Sequence, residues 1–161
     1  MATESNPPGD IPDNQAFVPF TPPGGQFSVS IPEGWARQIS GTGASFTDKL
    51  NRVQISSTTV TTVPTTASVQ AVEIAALGNQ VPQFTPGKLT TVDRSGQSAI
   101  LLTYQGDSAP DSVTGKVVRD AFERYTFVHA RTRVDLTLSG PTNADNVDPW
   151  RTISDSVQWQ R

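Results

Sequence analysis

Hydrophobic and polar residues first alternate strictly at Phe27, Val29 and Ile31, which are separated by Ser28 and Ser30. A period of two places the three apolar side chains on one face of a strand, and Gly24-Gly25 before it and Pro32-Glu33-Gly34 after it supply the turns. Trp35 opens a second strand that runs to Ile39. A third covers 44–48, and Leu50-Asn51-Arg52 turns the chain into a fourth, where Val53 and Ile55 begin an alternation that continues through Ser57 and Thr59. The period then changes. After Ser68, a residue suited to capping, Val69, Val72, Ile74, Ala76 and Leu77 recur at three-to-four spacing until Gly78-Asn79. That spacing predicts a middle helix.

Strands are expected again near 87–93 and 99–105, and the run Ile100-Leu101-Leu102 predicts that the latter is central and covered on both faces. Two longer strands, 116–130 and 132–139, meet at a tight turn at Ala130-Arg131, which would pair Phe127 with Val134 and Tyr125 with Leu136 on one face. Upstream the apolar phase slips by one residue, since Val118 and Phe122 are even-numbered while Tyr125 and Phe127 are odd. A slip of that kind predicts a β-bulge near Glu123 or Arg124. Asp148-Pro149 reads as a cap followed by proline at the first helical position, and Trp150, Ile153 and Val157 mark the inner face of a C-terminal helix. The order of strands, helix, strands, helix predicts an α+β fold: a curved antiparallel sheet with the middle and C-terminal helices packed on it.

Composition adds the boundaries. A chain of 161 residues fits one domain. Residues 1–25 are rich in proline and glycine and poor in large apolar groups, so they are expected to form a disordered or extended tether, with Phe17-Val18-Pro19-Phe20 able to dock locally. The domain proper is expected over 26–161. The net charge of −3 and the scattered basic residues exclude the clustered basic face that nucleic acid or an anionic membrane surface requires. The chain has no cysteine, which removes disulfides, thiolate metal sites and cysteine nucleophiles. No apolar run is long enough to span a bilayer, and no signal-peptide pattern is present. The opening Met1-Ala2-Thr3-Glu4 reads as a cytosolic start or as a start placed after a removed leader.

Candidate chemistry is sparse. The one histidine, His129, falls opposite Thr132 in the hairpin register, near the turn and on the core-facing side, where a structural role is expected over a catalytic one. There is no Gly-x-Ser-x-Gly elbow, and Gly41-Thr42-Gly43 is too short to cradle a phosphate. No catalytic set, metal site or cofactor is therefore expected. Asp107 and Asp111, in the loop 107–115 that also holds Thr114, could pair as acid and base or ligate calcium. The glycine and distal glutamate of a calcium loop are missing, however, and a polar turn is the simpler reading. Asp145, Asn146 and Asp148 offer oxygen ligands at the start of the C-terminal helix. Arg119, Asp120, Glu123, Arg124, Arg133 and Asp135 read as a ladder of ion pairs, or as a polar binding face on an uncovered side of the sheet. Trp35 and Trp150 are expected to anchor the core, and Trp159, next to the C-terminus, either packs back or stays exposed; a sugar-binding platform is the less favoured reading of the three.

Phe27-Ser28-Val29-Ser30-Ile31-Pro32-Glu33-Gly34-Trp35, the middle helix, the long hairpin and the closing Asp148-Pro149-Trp150-Arg151 helix together resemble the PsbP-like fold. That fold is shared by the extrinsic subunit P of photosystem II and the Mog-type Ran-binding protein. Asp145 through Arg151, with Ile153, Asp155-Ser156 and Trp159, is also similar to small exported lipoproteins of actinobacteria, as is the loop from Ala109 to Gly115. The resemblance covers most of residues 26–159. It implies a non-catalytic, extracytoplasmic binding or accessory domain, the soluble part of a protein held on the outer face of the cytoplasmic membrane by a lipidated cysteine that this chain does not contain. No catalytic residues come with it, and the fold alone fixes no function. A monomer is expected, with an unidentified envelope protein as partner. The alternative is a carrier of a small or lipidic ligand in a cleft between sheet and helices, and a less favoured third reading is an enzyme using the acidic loop. The residues expected to form a binding site are Asp107, Asp111, Thr114, Asp145, Asn146 and Trp150.

Overall fold

Two antiparallel sheets and two helical segments organise the chain, whose computed structural model describes residues 9–160. In chain order they are β1 (Phe17–Phe20), β2 (Phe27–Pro32), β3 (Ala36–Ser40), β4 (Gly43–Asp48), β5 (Asn51–Thr59), and a middle helix made of α1 (Thr66–Ser68), a π-helical turn (Val69–Glu73) and α2 (Ile74–Gln80). Then come β6 (Thr85–Arg94), β7 (Gln97–Asp107), β8 (Arg119–His129), β9 (Thr132–Pro141), α3 (Val147–Asp155) and β10 (Gln158–Trp159). The large sheet has the order β3-β4-β5-β9-β8-β7-β6, and the small one β1-β2-β10. The α+β architecture with its middle and C-terminal helices is as expected.

Alternation along the strands decides which face each layer covers. Phe46, Val53, Ile55, Tyr125, Phe127, Val134, Leu136 and Leu138 point to one face of the large sheet, where they are buried with Phe27, Val29 and Ile31 of β2 and with Trp150, Ile153 and Val157 at the C-terminal helix. This is the main core. On the opposite face Leu102 and Tyr104 pack with Val69 of the middle helix, joined by the half-buried Ile74, Leu77, Leu89 and Phe122. The apolar contacts of this second layer fall on β6, β7 and β8.

The β8–β9 hairpin has the expected register, with Phe127 opposite Val134 and Tyr125 opposite Leu136. The bulge expected near Glu123 or Arg124 is absent, because pairing runs without a slip from Asp120–Pro141 to His129–Thr132. The change of apolar phase has another cause. Phe122 faces the middle helix while Tyr125 and Phe127 face the main core, so one unbroken strand serves two layers. The irregularity lies instead in β6, between Pro86 and Leu89, where a Cβ on Gly87 would come within 2.7 Å of the Thr103 carbonyl oxygen. β7 is the second strand from an edge rather than a central one.

Both helix starts differ from the sequence reading. The middle helix is capped by Thr65, which exchanges side-chain hydrogen bonds with Ser68 (2.9 and 3.1 Å). Its π-helical turn puts Val69 and Ile74, five residues apart, against the sheet and sends Val72, expected inward, out to 66% exposure. Asn146, not Asp148, occupies the cap position of α3, and Asp148 lies inside the first turn. Trp150, Ile153 and Val157 are buried as expected.

The expected tether divides. Residues 1–8, with the chain start, lie outside the described residues. From Gly9 onward the segment is built into the domain rather than extended from it: Ile11 and Phe20 are buried, β1 pairs with β2, and the Gly9 carbonyl accepts from Asn51 Nδ2 at 2.6 Å. A few well-placed apolar residues and backbone bonds suffice to order a proline-rich stretch. His129 is exposed at the hairpin end and stacks on Trp159, ring centroids 5.2 Å apart.

Candidate functional site

β5 and β9 bury one face only. Their inward residues, Val53, Ile55, Val134, Leu136 and Leu138, leave Arg52, Gln54, Ser56, Thr137 and Ser139 on the opposite face beside the middle helix, with Asp135 at its border. The result is a groove of about 900 Å³. Its floor is this polar sheet face with Asp120 and Phe122 of β8. One wall is the end of α2 with Val81 and Pro82, and the mouth is formed by the loop after β7. The strand register sets the floor in rows: Arg52, Ser139, Phe122 and Tyr104 follow one another across four strands, and Gln54, Thr137 and Arg124 form the next row.

An ion cluster fixes the helix beside the groove. Glu73 of the π-helical turn pairs with Arg124 at 2.8 Å and with Arg133, while Asp135 lies 3.0 Å from Arg133 and 3.6 Å from Arg124. Burial disfavours the Glu73 carboxylate, but the bonds and charges of the two arginines outweigh it and hold its pKa below the ordinary value. Arg124, Arg133 and Asp135 of the expected ladder are thus partly buried beside the helix, with the helix's Glu73 as a member that strand pairing could not reveal.

The six expected site residues separate. Asp107 lines the groove and lies 3.4 Å from Arg119, whose guanidinium also donates to the Gln83 carbonyl (2.6 Å) and Thr85 Oγ1 (2.9 Å). Asp111 lines the mouth but closes a turn, accepting from the N–H groups of Val113 (2.8 Å) and Thr114 (2.9 Å). Those two bonds, from Thr114 first, keep its exposed carboxyl below the ordinary range. Thr114 Oγ1 accepts from the Lys116 N–H in the same turn. Asp145, Asn146 and Trp150 are elsewhere. Asp145 is exposed, and Asn146 is buried in a knot with Gly9, Ile11 and Asn51. Trp150 belongs to the core and touches a smaller cleft of about 330 Å³ near Thr103 and Glu123. Asp107 and Asp111 both line the groove and Thr114 shares the Asp111 turn, whereas Asp145, Asn146 and Trp150 lie apart from them. Arg52, Gln54, Thr137 and Ser139 escaped the sequence reading, since polar positions in an alternating strand look like plain solvent-facing ones.

No family model matches the sequence, and no curated protein does. Among solved structures, cyanobacterial PsbP (CyanoP) from Synechocystis superposes with a TM-score of 0.65 at 14% identity, covering 94% of this chain and 98% of that one. The Ran-binding protein Mog1p of Saccharomyces cerevisiae gives 0.54 at 12% identity, over 81% of this chain and 79% of that one. LpqN, involved in cell envelope biogenesis of Mycobacterium tuberculosis, gives 0.53 at 14%, over 92% and 93%. The fold is PsbP-like. A Bacteroides thetaiotaomicron protein also matches, at 0.57 and 11% identity over 89% of this chain, which spans about half (48%) of that protein's length.

Within this PsbP-like domain one carboxyl stands apart. Asp120 is only 8% exposed, and among the described residues no hydrogen bond or ion pair reaches its side chain. Burial, and after it the negative charge of Asp107, push its pKa up from 3.8 to about 6. The folded state therefore binds the Asp120 proton more tightly than the unfolded chain does. This group's stabilising contribution is complete below pH 3.8 and is lost as pH rises to about 6. Chemical denaturation of the wild type and Asp120→Asn across pH 4–7 isolates the effect. The variant is expected to gain on the wild type by on the order of 2 kcal/mol over that range. A difference that stays constant with pH would show that Asp120 titrates normally.

Proposed function

We propose that this chain is a non-catalytic, extracytoplasmic binding or accessory domain, the soluble part of a membrane-anchored protein, and that it holds its partner in the groove beside the middle helix. The observation that carries this reading is the groove floor. Among the described residues Arg52, Gln54, Ser56, Thr137 and Ser139 enter no side-chain hydrogen bond or ion pair, so their donors and acceptors are free for another molecule. Recognition surfaces combine such unspent polar groups with a concave shape and a flanking apolar wall, here supplied by Leu77, Val81 and Phe122. The likeness to LpqN, named for cell envelope biogenesis, supports an envelope setting, and the likeness to the Ran-binding Mog1p supports a protein partner. No helix among the described residues is long and apolar enough to cross a membrane, so the anchor in this reading lies outside the described domain.

A small ligand is the second reading, favoured by a groove volume of about 900 Å³, within the usual range for ligand pockets. The polar floor argues against a lipid tail. The test places a photo-cross-linking amino acid at Gln54 or Thr137 on the floor, or at Val72 on the outer face of the helix, in the anchored protein within its source organism. The expected result is one envelope protein captured from the two floor positions and absent from Val72. Equal capture from all three positions would remove the groove as the binding face, and bound small molecules without any cross-linked protein would favour the second reading.

A further inference from the structure

Asp120 and Ser139 share an unusual combination of properties. They are 8% and 7% exposed, both line the groove, and among the described residues neither side chain has a hydrogen-bond partner. Their oxygens are nevertheless absent from the sealed, unsatisfied polar atoms of the described residues, where only Asp155 Oδ1 appears. What little surface these two residues keep therefore includes their polar atoms, which open into the groove. Burying a carboxylate without a cation or a donor costs several kcal/mol in general, so an unfilled pair of acceptors in a half-enclosed space marks a place for a donor from outside.

The neighbouring side chains define that donor. Asp107, the nearest like charge, already has Arg119 at 3.4 Å, whereas Arg124 is engaged by Glu73 and Asp135. Arg52, one strand beyond Ser139, is exposed and makes no ion pair with Asp120, so among the described residues Asp120 is left without a partner cation. Ser139 lies diagonally across from it, since Asp120 pairs with Pro141 and Phe122 with Ser139. Diagonal neighbours of this kind stand about 7–8 Å apart at their backbones, close enough for one small group to touch both side chains. Phe122 is two residues further along β8 on the same face, about 7 Å from Asp120. Its ring is stacked on Tyr104 at 4.6 Å and 8°. That separation matches the spacing of adjacent strands, so both rings stand upright on the sheet. Tyr104 covers one face of Phe122, and on the β9 side the register sets the small Ser139 beside it, both lining the groove.

We infer that this end of the groove is a subsite for a primary alkylammonium group, its charge held by Asp120 and Ser139 and its alkyl chain laid along the open face of Phe122. The distance from the carboxylate to the ring suits a chain of about four carbons, as in a lysine side chain. A metal ion is a poor fit, because among the described residues no group of three histidine, cysteine or acidic side chains is placed to hold one. Burial and then the Asp107 charge raise the Asp120 pKa to about 6, and a cation bound there would lower it. The inference rests on the groove being the binding face, and it names the chemistry that the partner brings there.

The experiment titrates the whole chain with n-butylammonium, n-butanol, the lysine mimic Nα-acetyl-lysine methylamide and the corresponding arginine mimic, following the Asp120 carboxyl, Ser139 and Phe122 by NMR. Saturable shifts at these three residues are expected with butylammonium and the lysine mimic. Butanol and the arginine mimic should bind about tenfold more weakly or less. Asp120→Asn should weaken ammonium binding about tenfold or more, and Ser139→Ala to a smaller degree, with the rest of the spectrum unchanged. Tighter binding of the lysine mimic than of butylammonium would identify a partner's side chain as the source, and the reverse order would identify a free amine. Equal binding by butanol, equal binding by Asp120→Asn, or shifts confined to other residues would overturn the inference. Cross-linking from Gln54 is read independently of Asp120. Should it persist without ammonium binding, the groove stands as the binding face and only the ammonium subsite falls.

Discussion

Replacing Phe127 with alanine is expected to lower the unfolding free energy by about 3–5 kcal/mol and the melting midpoint by on the order of 10 °C. Phe127 has no exposed surface and sits opposite Val134, itself fully buried, in the β8–β9 hairpin. Its cluster joins the large sheet to Phe27, Val29 and Ile31 of β2 and to Ile153 of α3. Phe127 therefore belongs to the core that joins three parts of the fold. Close-packed surroundings of that kind relax only partly around a deleted side chain, so the loss includes a cavity as well as the transferred surface. Urea denaturation measures it. A loss below about 1 kcal/mol would mean that the small sheet does not close over this face, and the layer arrangement would have to be redrawn.

The parts of the fold legible in the sequence are those fixed by local periodicity. Phe27, Val29 and Ile31 could only make a one-sided strand, and the Ala130-Arg131 turn determined which residues face each other across β8 and β9. Trp150, Ile153 and Val157 fell on the inner face of α3 for the same reason. The misreadings share a cause, since each needed knowledge of what covers a surface. Phe122 looked out of phase because a second layer on the opposite face could not be seen, and a bulge was the nearest one-layer explanation. Val72 looked buried because a period of 3.6 was assumed where a π-helical turn adds a residue. Ile11 and Phe20 were too few to argue order on composition, yet their positions bury them.

The groove obeys the same logic. Alternation along β5 and β9 announces that Arg52, Gln54, Thr137 and Ser139 lie opposite the core, but not that the middle helix stops short of them. Asp107 and Asp111 were noticed because acidic loop residues invite attention, and they prove to line the wall and mouth. Asp120 was read as part of an ion-pair ladder, a role that its neighbours on the sheet do not fill. Its isolation is a property of the folded layers, where Arg119, Arg124 and Arg133 are taken by Asp107, Glu73 and Asp135, and the exposed Arg52 makes no ion pair with it.

Asn146→Ala is expected to cost about 2–4 kcal/mol, although Asn146 sits in a loop among residues that the sequence offers as ligand contacts. Its Oδ1 accepts from the Ile11 N–H at 2.9 Å, and its Nδ2 donates to the Gly9 carbonyl and to Asn51 Oδ1, both at 3.1 Å. Asn51 Nδ2 donates to the same Gly9 carbonyl at 2.6 Å. Gly140 runs beneath this knot so closely that a Cβ there would lie 2.5 Å from Asn51 Oδ1 and 3.1 Å from Asn146 Nδ2. Deleting the Asn146 amide strands a buried N–H on Ile11, and each such group costs about 1–3 kcal/mol. The start of the described chain is tied down by these bonds, so hydrogen exchange at Ile11 should accelerate well beyond the loss in global stability. Because the two asparagines share one acceptor and bond to each other, Asn51→Ala and Asn146→Ala together should cost less than the sum of the two alone. Gly140→Ala should reproduce the effect by pressing on both amides while leaving each in the chain. Additive losses, or an Asn146→Ala variant as stable as the wild type, would show that the knot is loose in solution and return Asn146 to the candidates for ligand contact.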